Sequence, residues 1–301
     1  MPRIEDYVTM TNYKGFYRLW DESEFKMMRS FKDGLLYSLI SVPTTKVMLF
    51  PVDRVMSSGQ SMMFADSNTN TSFKKILFKT SYGSILPHLG KCMSQGVLTF
   101  SFFKCLREAV NDPQDSQTVK VLKSTVTGSV AGFLSTVLTY PVESSYKHLV
   151  IDEGRHYRHP GLLKALEYRY IEGGRRAMYQ GLSVSLVGSM LFRGIYFGGF
   201  EWIKNLNGIT REDSIQTVYP CALVSTALAI IVTHPLDSIR MNYIAASYNN
   251  VYHFNSVGPF DYAWSKMTPI KFIKGLHWNL GKTFSSAAAL VVFDRILAKY
   301  S

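Results

Sequence analysis

STVTGSVAGFLSTVLTYPVE, from Ser124 to Glu143, is the stretch on which the fold turns. Ser124 to Val142 holds no Asp, Glu, Lys or Arg, and a helix crossing a hydrocarbon core of ~30 Å needs ~20 largely apolar residues. The run ends on Pro141-Val142-Glu143, and the same pattern ends two other apolar runs, as Pro51-Val52-Asp53 and Pro235-Leu236-Asp237, at spacings of 90 and 94 residues. Each is followed by a loop, a short amphipathic stretch, a glycine and a second apolar run. Those glycines, Gly83, Gly181 and Gly275, are spaced 98 and 94 residues apart. Self-similarity at a fixed period marks a repeat architecture. Ser214–Thr233 is also free of charge, while Gly34–Val52, Gly83–Phe103, Gly181–Phe200 and Gly275–Phe293 are apolar but for Lys46, Lys91, Arg193 and Lys282. Taken alone, such runs also suit the buried helices of a soluble protein. Their threefold recurrence favours an all-α membrane protein of six transmembrane helices, in three tandem two-helix repeats, each with a short amphipathic helix between its two spans.

The pattern divides the chain into an N-terminal extension (1–30), repeat one (31–112), repeat two (113–207) and repeat three (208–301). The extension carries Tyr13, Phe16, Tyr17, Trp20 and Phe25, which suits either a surface-lying amphipathic helix or a partner-binding segment. Its start, MPRIEDYVTM, has acids and no apolar core, so no cleavable presequence is expected and an import signal would be internal.

A formal net charge of +11 fits a carrier of anions or a binder of anionic lipid. No basic block interleaves with aromatics, which argues against nucleic acid. Cys92, Cys105 and Cys221 show neither paired nor metal-ligand spacing. Among seven histidines the nearest to a pattern is His156-x-x-His159, in a polar loop that suits solvation better than metal. No phosphate-binding glycine loop, nucleophile elbow or dinucleotide fingerprint is present. Neither an enzyme, a catalytic residue nor a metal site is therefore expected.

Pro-x-acid-x-x-base ending the odd helices, with aromatic-Lys/Gln-Gly opening the even ones, resembles the signature of the mitochondrial carrier family. Pro235, Asp237 and Arg240 match its first half and Ile273-Lys274-Gly275 nearly matches its second. Met178 through Ser185 and Phe192 through Gly198 resemble the fourth transmembrane helix of the ADP/ATP carriers in particular, and Gly128-x-x-x-Gly132 suits close helix approach. The resemblance covers roughly residues 31 to 299.

Ionisable residues deep in apolar runs are costly and mark candidate functional positions. At ~1.5 Å per residue, Lys46 lies ~8 Å before the Pro51 kink and Lys282 ~10 Å beyond Gly275, so both approach mid-membrane. The competing reading pairs each with a carbonyl or carboxylate of the bundle. The resemblance implies substrate positions at Lys46, Lys91, Gly188, Ser189, Arg193, Tyr196 and Lys282. It implies a matrix gate in which the acids Asp53, Glu143 and Asp237 face bases of the next repeat. Those base positions hold Met56, Tyr146 and Arg240, so only Glu143 with Arg240 survives, and Arg54 and Lys147, one helical step away, are expected to point elsewhere. Asp53 and Asp237 must then be paired differently, protonated or hydrated. For the opposite, cytoplasmic-side gate it implies Glu201, Lys204 and Asp294; Asp294 lacks a base at Leu297, and Phe103-Lys104 lacks its acid.

Other departures touch the substrate site. Gly90, beside Lys91, stands where ADP/ATP carriers have an arginine, and their three-arginine run is reduced to Arg240-Met241-Asn242. By resemblance, helix starts at Gly83, Gly181 and Gly275 would hold cardiolipin, whose phosphates suit free backbone donors and positive dipole ends; no other cofactor is expected. Two functions follow. One is alternating-access exchange of a nucleotide or other small anion across the mitochondrial inner membrane. The other is a transport-incompetent carrier fold retained as a structural subunit of a larger inner-membrane, for example respiratory, complex, with other subunits met through residues 1–30.

Overall fold

The computed structural model describes residues 22–50, 52–53, 55–56, 85–110, 115–153, 161–209, 213–247, 258–273 and 275–300. Pro51, Arg54, Gly83, His156, His159, Lys274 and residues 1–21 of the extension, and with them the expectations they carried, lie outside the described residues. Ten helices are described: α1 (Glu22–Met48), α2 (Ile85–Val110), α3 (Gln117–Glu153), α4 (Leu162–Met178), α5 (Leu182–Leu206), α6 (Ile215–Ser247), α7 (Pro259–Lys266), α8 (Pro269–Ile273), α9 (Leu276–Gly281) and α10 (Thr283–Tyr300). The all-helical reading is borne out. Helix α1 begins at Glu22, so it takes in the last part of the segment read as an extension.

Three described helices are long and apolar enough to cross a membrane, within Gln117–Leu149, Gly173–Leu206 and Ile215–Ala246. At 37 residues, α3 is ~55 Å long and outruns the hydrocarbon core. It runs on through Pro141, as α6 does through Pro235. Its start is set by Ser116, whose Oγ accepts the Val119 amide at 3.4 Å. The sixth apolar run, expected as one helix from Gly275, is instead two, α9 and α10, broken at Lys282.

Neighbouring long helices pack in chain order, α1 on α2, α2 on α3, α3 on α5, α5 on α6 and α6 on α10, and α10 closes back on α1. The bundle is therefore a closed ring of three helix pairs, with α4 and α7–α8 as short helices between the two members of the second and third pairs. Small residues set the tightest seam. A Cβ on Gly128 or Gly132 would come within 2.7 Å of the Arg193 or Ser189 carbonyl oxygen, and Gly194 and Gly198 reciprocate against Ser129 and Thr125. Backbones of α3 and α5 thus touch directly, as small-residue motifs permit in membranes.

Outward faces are apolar. Val126, Val130, Phe133 and Leu138 of α3, and Val224, Leu228, Ile231 and Val232 of α6, are exposed at helical spacing, a stripe suited to acyl chains. The interior holds an aromatic core in which Phe103 stacks on Phe197 at 3.7 Å and Phe100 lies 4.3 Å from Phe293. Several buried hydroxyls are satisfied within their own helices: Thr45, Ser101 and Thr226 bond the carbonyls four residues back.

Candidate functional site

Helices α2, α3, α5, α6 and the α9–α10 break enclose a cavity of about 230 Å³. Five basic side chains line it, Lys91, Lys147, Arg193, Arg240 and Lys282, against two acidic ones, Glu143 and Asp237. An excess of positive charge inside low-dielectric walls concentrates anions. Gly188 and Ser189 also line it, and a Cβ on Gly188 would meet only Leu236, at 3.7 Å, so the glycine leaves a flat, open wall.

Each cation is held differently. Lys282 caps α9 and donates to Asn279 Oδ1 at 3.0 Å. Lys91 sits over the Tyr146 ring at 5.4 Å from its centroid. The guanidinium of Arg193 packs over Phe192 and Tyr196, at 5.3 and 5.6 Å, and among the described residues no carboxylate lies within ion-pair range of it. Among the described residues Arg193 and Lys91 are thus the wall's cations held against rings and not by an acid. Two expected substrate residues are not brought to this wall. Tyr196 is buried and donates its hydroxyl hydrogen bond to the Ser286 carbonyl at 2.8 Å. Lys46 binds Asp53 at 2.8 Å and Ser285 Oγ at 2.6 Å, so its ammonium is committed to the bundle.

The Pro-x-acid end shows three corners, one per acid. Glu143 and Arg240 meet at 3.0 Å, both nearly buried, as the sequence implies. Lys147 does not point elsewhere: its Nζ lies 3.9 Å from Glu143, one turn along α3, because an i, i+4 spacing places both on one face. At the second corner Asp53 is paired differently, accepting from Lys46 and from Ser285 Oγ at 2.8 Å. Its carboxylate also faces His88 Nε2 at 3.7 Å. At the third corner Asp237 accepts from Asn279 Nδ2 at 3.4 Å, while Met56, in the lost base position, packs against Gly281, where no Cβ would fit.

The opposite end is more complete than its motifs suggest. Lys204 meets Asp294 at 3.1 Å and Arg107 meets Glu201 at 3.0 Å. Arg107 was not among the expected residues. It is the base of the Phe103 motif, which keeps its base while losing its acid to Lys104; the lysine turns to the Tyr37 ring at 4.6 Å and to Asp33 and Glu108 at 3.9 and 3.6 Å. Just inside these pairs lie Phe103, Phe197, Phe200 and Phe293, closing that end with aromatic packing.

A ring of three helix pairs, ion pairs at both ends and a basic cavity between them can be compared with known proteins. Residues 117–209, essentially the second repeat, match the family described as mitochondrial carrier protein. A probable ADP,ATP carrier protein of Arabidopsis thaliana is 28% identical over 185 residues, 58% of this chain and 54% of the relative. ADP/ATP translocase 2 of Bos taurus is 28% identical over 178 residues, covering 56% and 59%. The chain is similar to the mitochondrial carrier family, through its second repeat and through relatives named ADP/ATP carriers. An ADP,ATP carrier protein of Parachlorella kessleri is also similar, 29% identical over 176 residues, 56% of this chain and 51% of the relative. The chain spans little more than half the length of these curated relatives.

The relatives it resembles are ADP/ATP carriers, and its charges can be sorted by position. Glu143, Asp237 and Arg240 belong both to the Pro-x-acid end and to the cavity wall. Ser285, Asn279, His88 and Arg107 were not singled out by motif, since each serves an acid across a helix or repeat boundary that linear spacing does not display. Only Arg107 carried a sequence signal, three residues after Lys104.

Proposed function

We propose that the chain is an ADP/ATP-carrier-like exchanger that moves a nucleotide or another small anion across the mitochondrial inner membrane by alternating access. One observation supports this above the rest: five basic side chains converge on one cavity of about 230 Å³, between two sets of ion pairs that occupy opposite ends of the bundle. An anion entering the cavity would meet Arg193, Lys282 and Lys91 first. It would also compete with Glu143 for Arg240 and Lys147, loosening the gate at the Pro-x-acid end. The differential interaction of substrate with closed and open gates is what drives such a switch. Cardiolipin is proposed at the helix starts of Gly83, Gly181 and Gly275; Gly181 and Gly275 are left-handed N-caps with no side-chain cap, which leaves first-turn amides for a phosphate.

Exchange of labelled ADP, ATP and phosphate by purified protein in liposomes tests the reading. Saturable counter-exchange of at least one is expected; no exchange across the panel would overturn it. A second reading, a carrier fold kept as a structural subunit of an inner-membrane complex, is favoured by the commitment of Lys46 to Asp53 and Ser285 and by Gly90 in place of an arginine. Migration as a free monomer in native gels of mild-detergent extracts would count against that second reading.

A further inference from the structure

Asp53, at the end of the odd helix of repeat one, should meet a base five residues after Pro141, and that position is Tyr146. A phenol cannot supply the charge, so the corner between repeats one and two ought to be open. It is not. His88 of α2 fills it: Nδ1 lies 2.9 Å from the Tyr146 hydroxyl and Nε2 lies 3.7 Å from Asp53 Oδ2. All three residues are buried. Two edge-on aromatic contacts, with Phe50 at 5.5 Å and with Tyr146 at 5.8 Å, fix the plane of the imidazole, so that its two nitrogens face opposite partners.

The other groups on Asp53 do not do this. Lys46 comes from the same repeat, so its bond to Asp53 closes nothing. Ser285 ties Asp53 to repeat three. Among the described residues only the imidazole reaches from Asp53 to repeat two. Asp237, the other acid that lost its base, is met in a similar way by Asn279, near the start of its own repeat's even helix. Both eroded corners are thus served from an even helix, at positions 88 and 279, five and four residues after the repeat glycines.

We propose that His88 is a gate residue: its imidazole joins Asp53 to Tyr146 and does between repeats one and two the work of the missing inter-repeat ion pair. This rests on the carrier reading above, in which the Pro-x-acid end opens and closes. Cys92 Sγ, 3.5 Å from Nε2 one turn along α2, competes for the same nitrogen and is held constant as serine in the test.

The test uses full-length protein in liposomes, with Cys92, Cys105 and Cys221 changed to Ser and Ser185→Cys as a reporter in the cavity wall. A membrane-impermeant maleimide is added on the face carrying the Pro-x-acid motifs. Losing the imidazole's hydrogen bond to Tyr146 and its polar contact with Asp53 should raise the labelling rate of His88→Leu about tenfold. His88→Gln, whose amide can donate to Asp53 and accept from Tyr146, should stay within about threefold of the parent. In an Asp53→Asn background, itself fast-labelling, His88→Leu should add no further increase. A parental labelling rate in His88→Leu overturns the proposal, as does equal opening by Leu and Gln, or a Leu effect that persists in Asp53→Asn. Should His88→Leu not fold, Tyr146→Phe carries the test, with faster labelling expected and an unchanged rate refuting. Labelling needs no transported solute. Protein that exchanges nothing yet shows this pattern loses the transport reading alone, and protein that exchanges but labels indifferently loses only the role of His88.

Discussion

Replacing Arg240 by Met removes the base of the one intact inter-repeat pair at the Pro-x-acid end. Glu143 and Arg240 lie 3.0 Å apart, with side chains only 7% and 8% exposed. Breaking a buried pair by deleting one partner costs ~3–5 kcal/mol because the other charge is stranded. Lys147 remains 3.9 Å from Glu143 and draws the figure to the lower end. The guanidinium also lies over the Tyr140 ring at 5.3 Å, a contact worth ~0.5–2 kcal/mol. A net loss of ~3–5 kcal/mol should lower the unfolding temperature by roughly 6–20 °C on the scaling for chains of 150–250 residues. Adding Glu143→Gln should recover most of that, since neutralising both members of a buried pair is often nearly neutral. Thermal unfolding in mild detergent, followed by tryptophan fluorescence, measures both. If Arg240→Met/Glu143→Gln unfolds at or below the temperature of Arg240→Met, the stranded-charge reasoning is refuted.

Two glycines should respond in opposite directions. Gly132→Ala would press a methyl within 2.7 Å of the Ser189 carbonyl and should cost ~1–3 kcal/mol, whereas Gly90→Ala meets only Leu162 at ordinary contact distance and should gain ~0.5–1 kcal/mol; the same unfolding assay reads both. Lys204→Met strands Asp294 in a pair only 5% and 8% exposed and should lower the unfolding temperature more than Arg107→Met, whose pair with Glu201 is more open to solvent. Equal shifts would contradict the burial argument. Lys282→Ala should raise the half-saturating substrate concentration of exchange at least about tenfold, as loss of a charged contact implies, and an unchanged value would remove Lys282 from the binding site.

Much of this architecture is legible in the chain because its signals are local and repeated. Pro141 and Pro235 with their acids, the charge-free runs behind them and the left-handed glycines at 181 and 275 are short patterns set by backbone geometry and bilayer thickness. The one intact pair, Glu143 with Arg240, followed from the same register. Pairings that cross repeats without a motif were not legible. Nothing in the spacing of Lys46 and Asp53, seven residues apart around a proline, says that the lysine turns back along its own helix rather than inward. Likewise His88 and Ser285 sit in apolar context and acquire their roles only when the ring closes and brings α2 and α10 against the end of α1, and Asn279 only when α9 packs on α6. Lys147 was misread because a helical step from the gate position still lies on the face of Glu143.

The most direct test of the central claim, transport of an anion through the basic cavity, is counter-exchange of labelled ADP or ATP in liposomes by the unaltered protein and by Arg193→Ala, side by side. The account predicts saturable exchange by the first and its loss in the second, with both folded by thermal unfolding. Exchange that survives Arg193→Ala unchanged, or none by the unaltered protein, would contradict it.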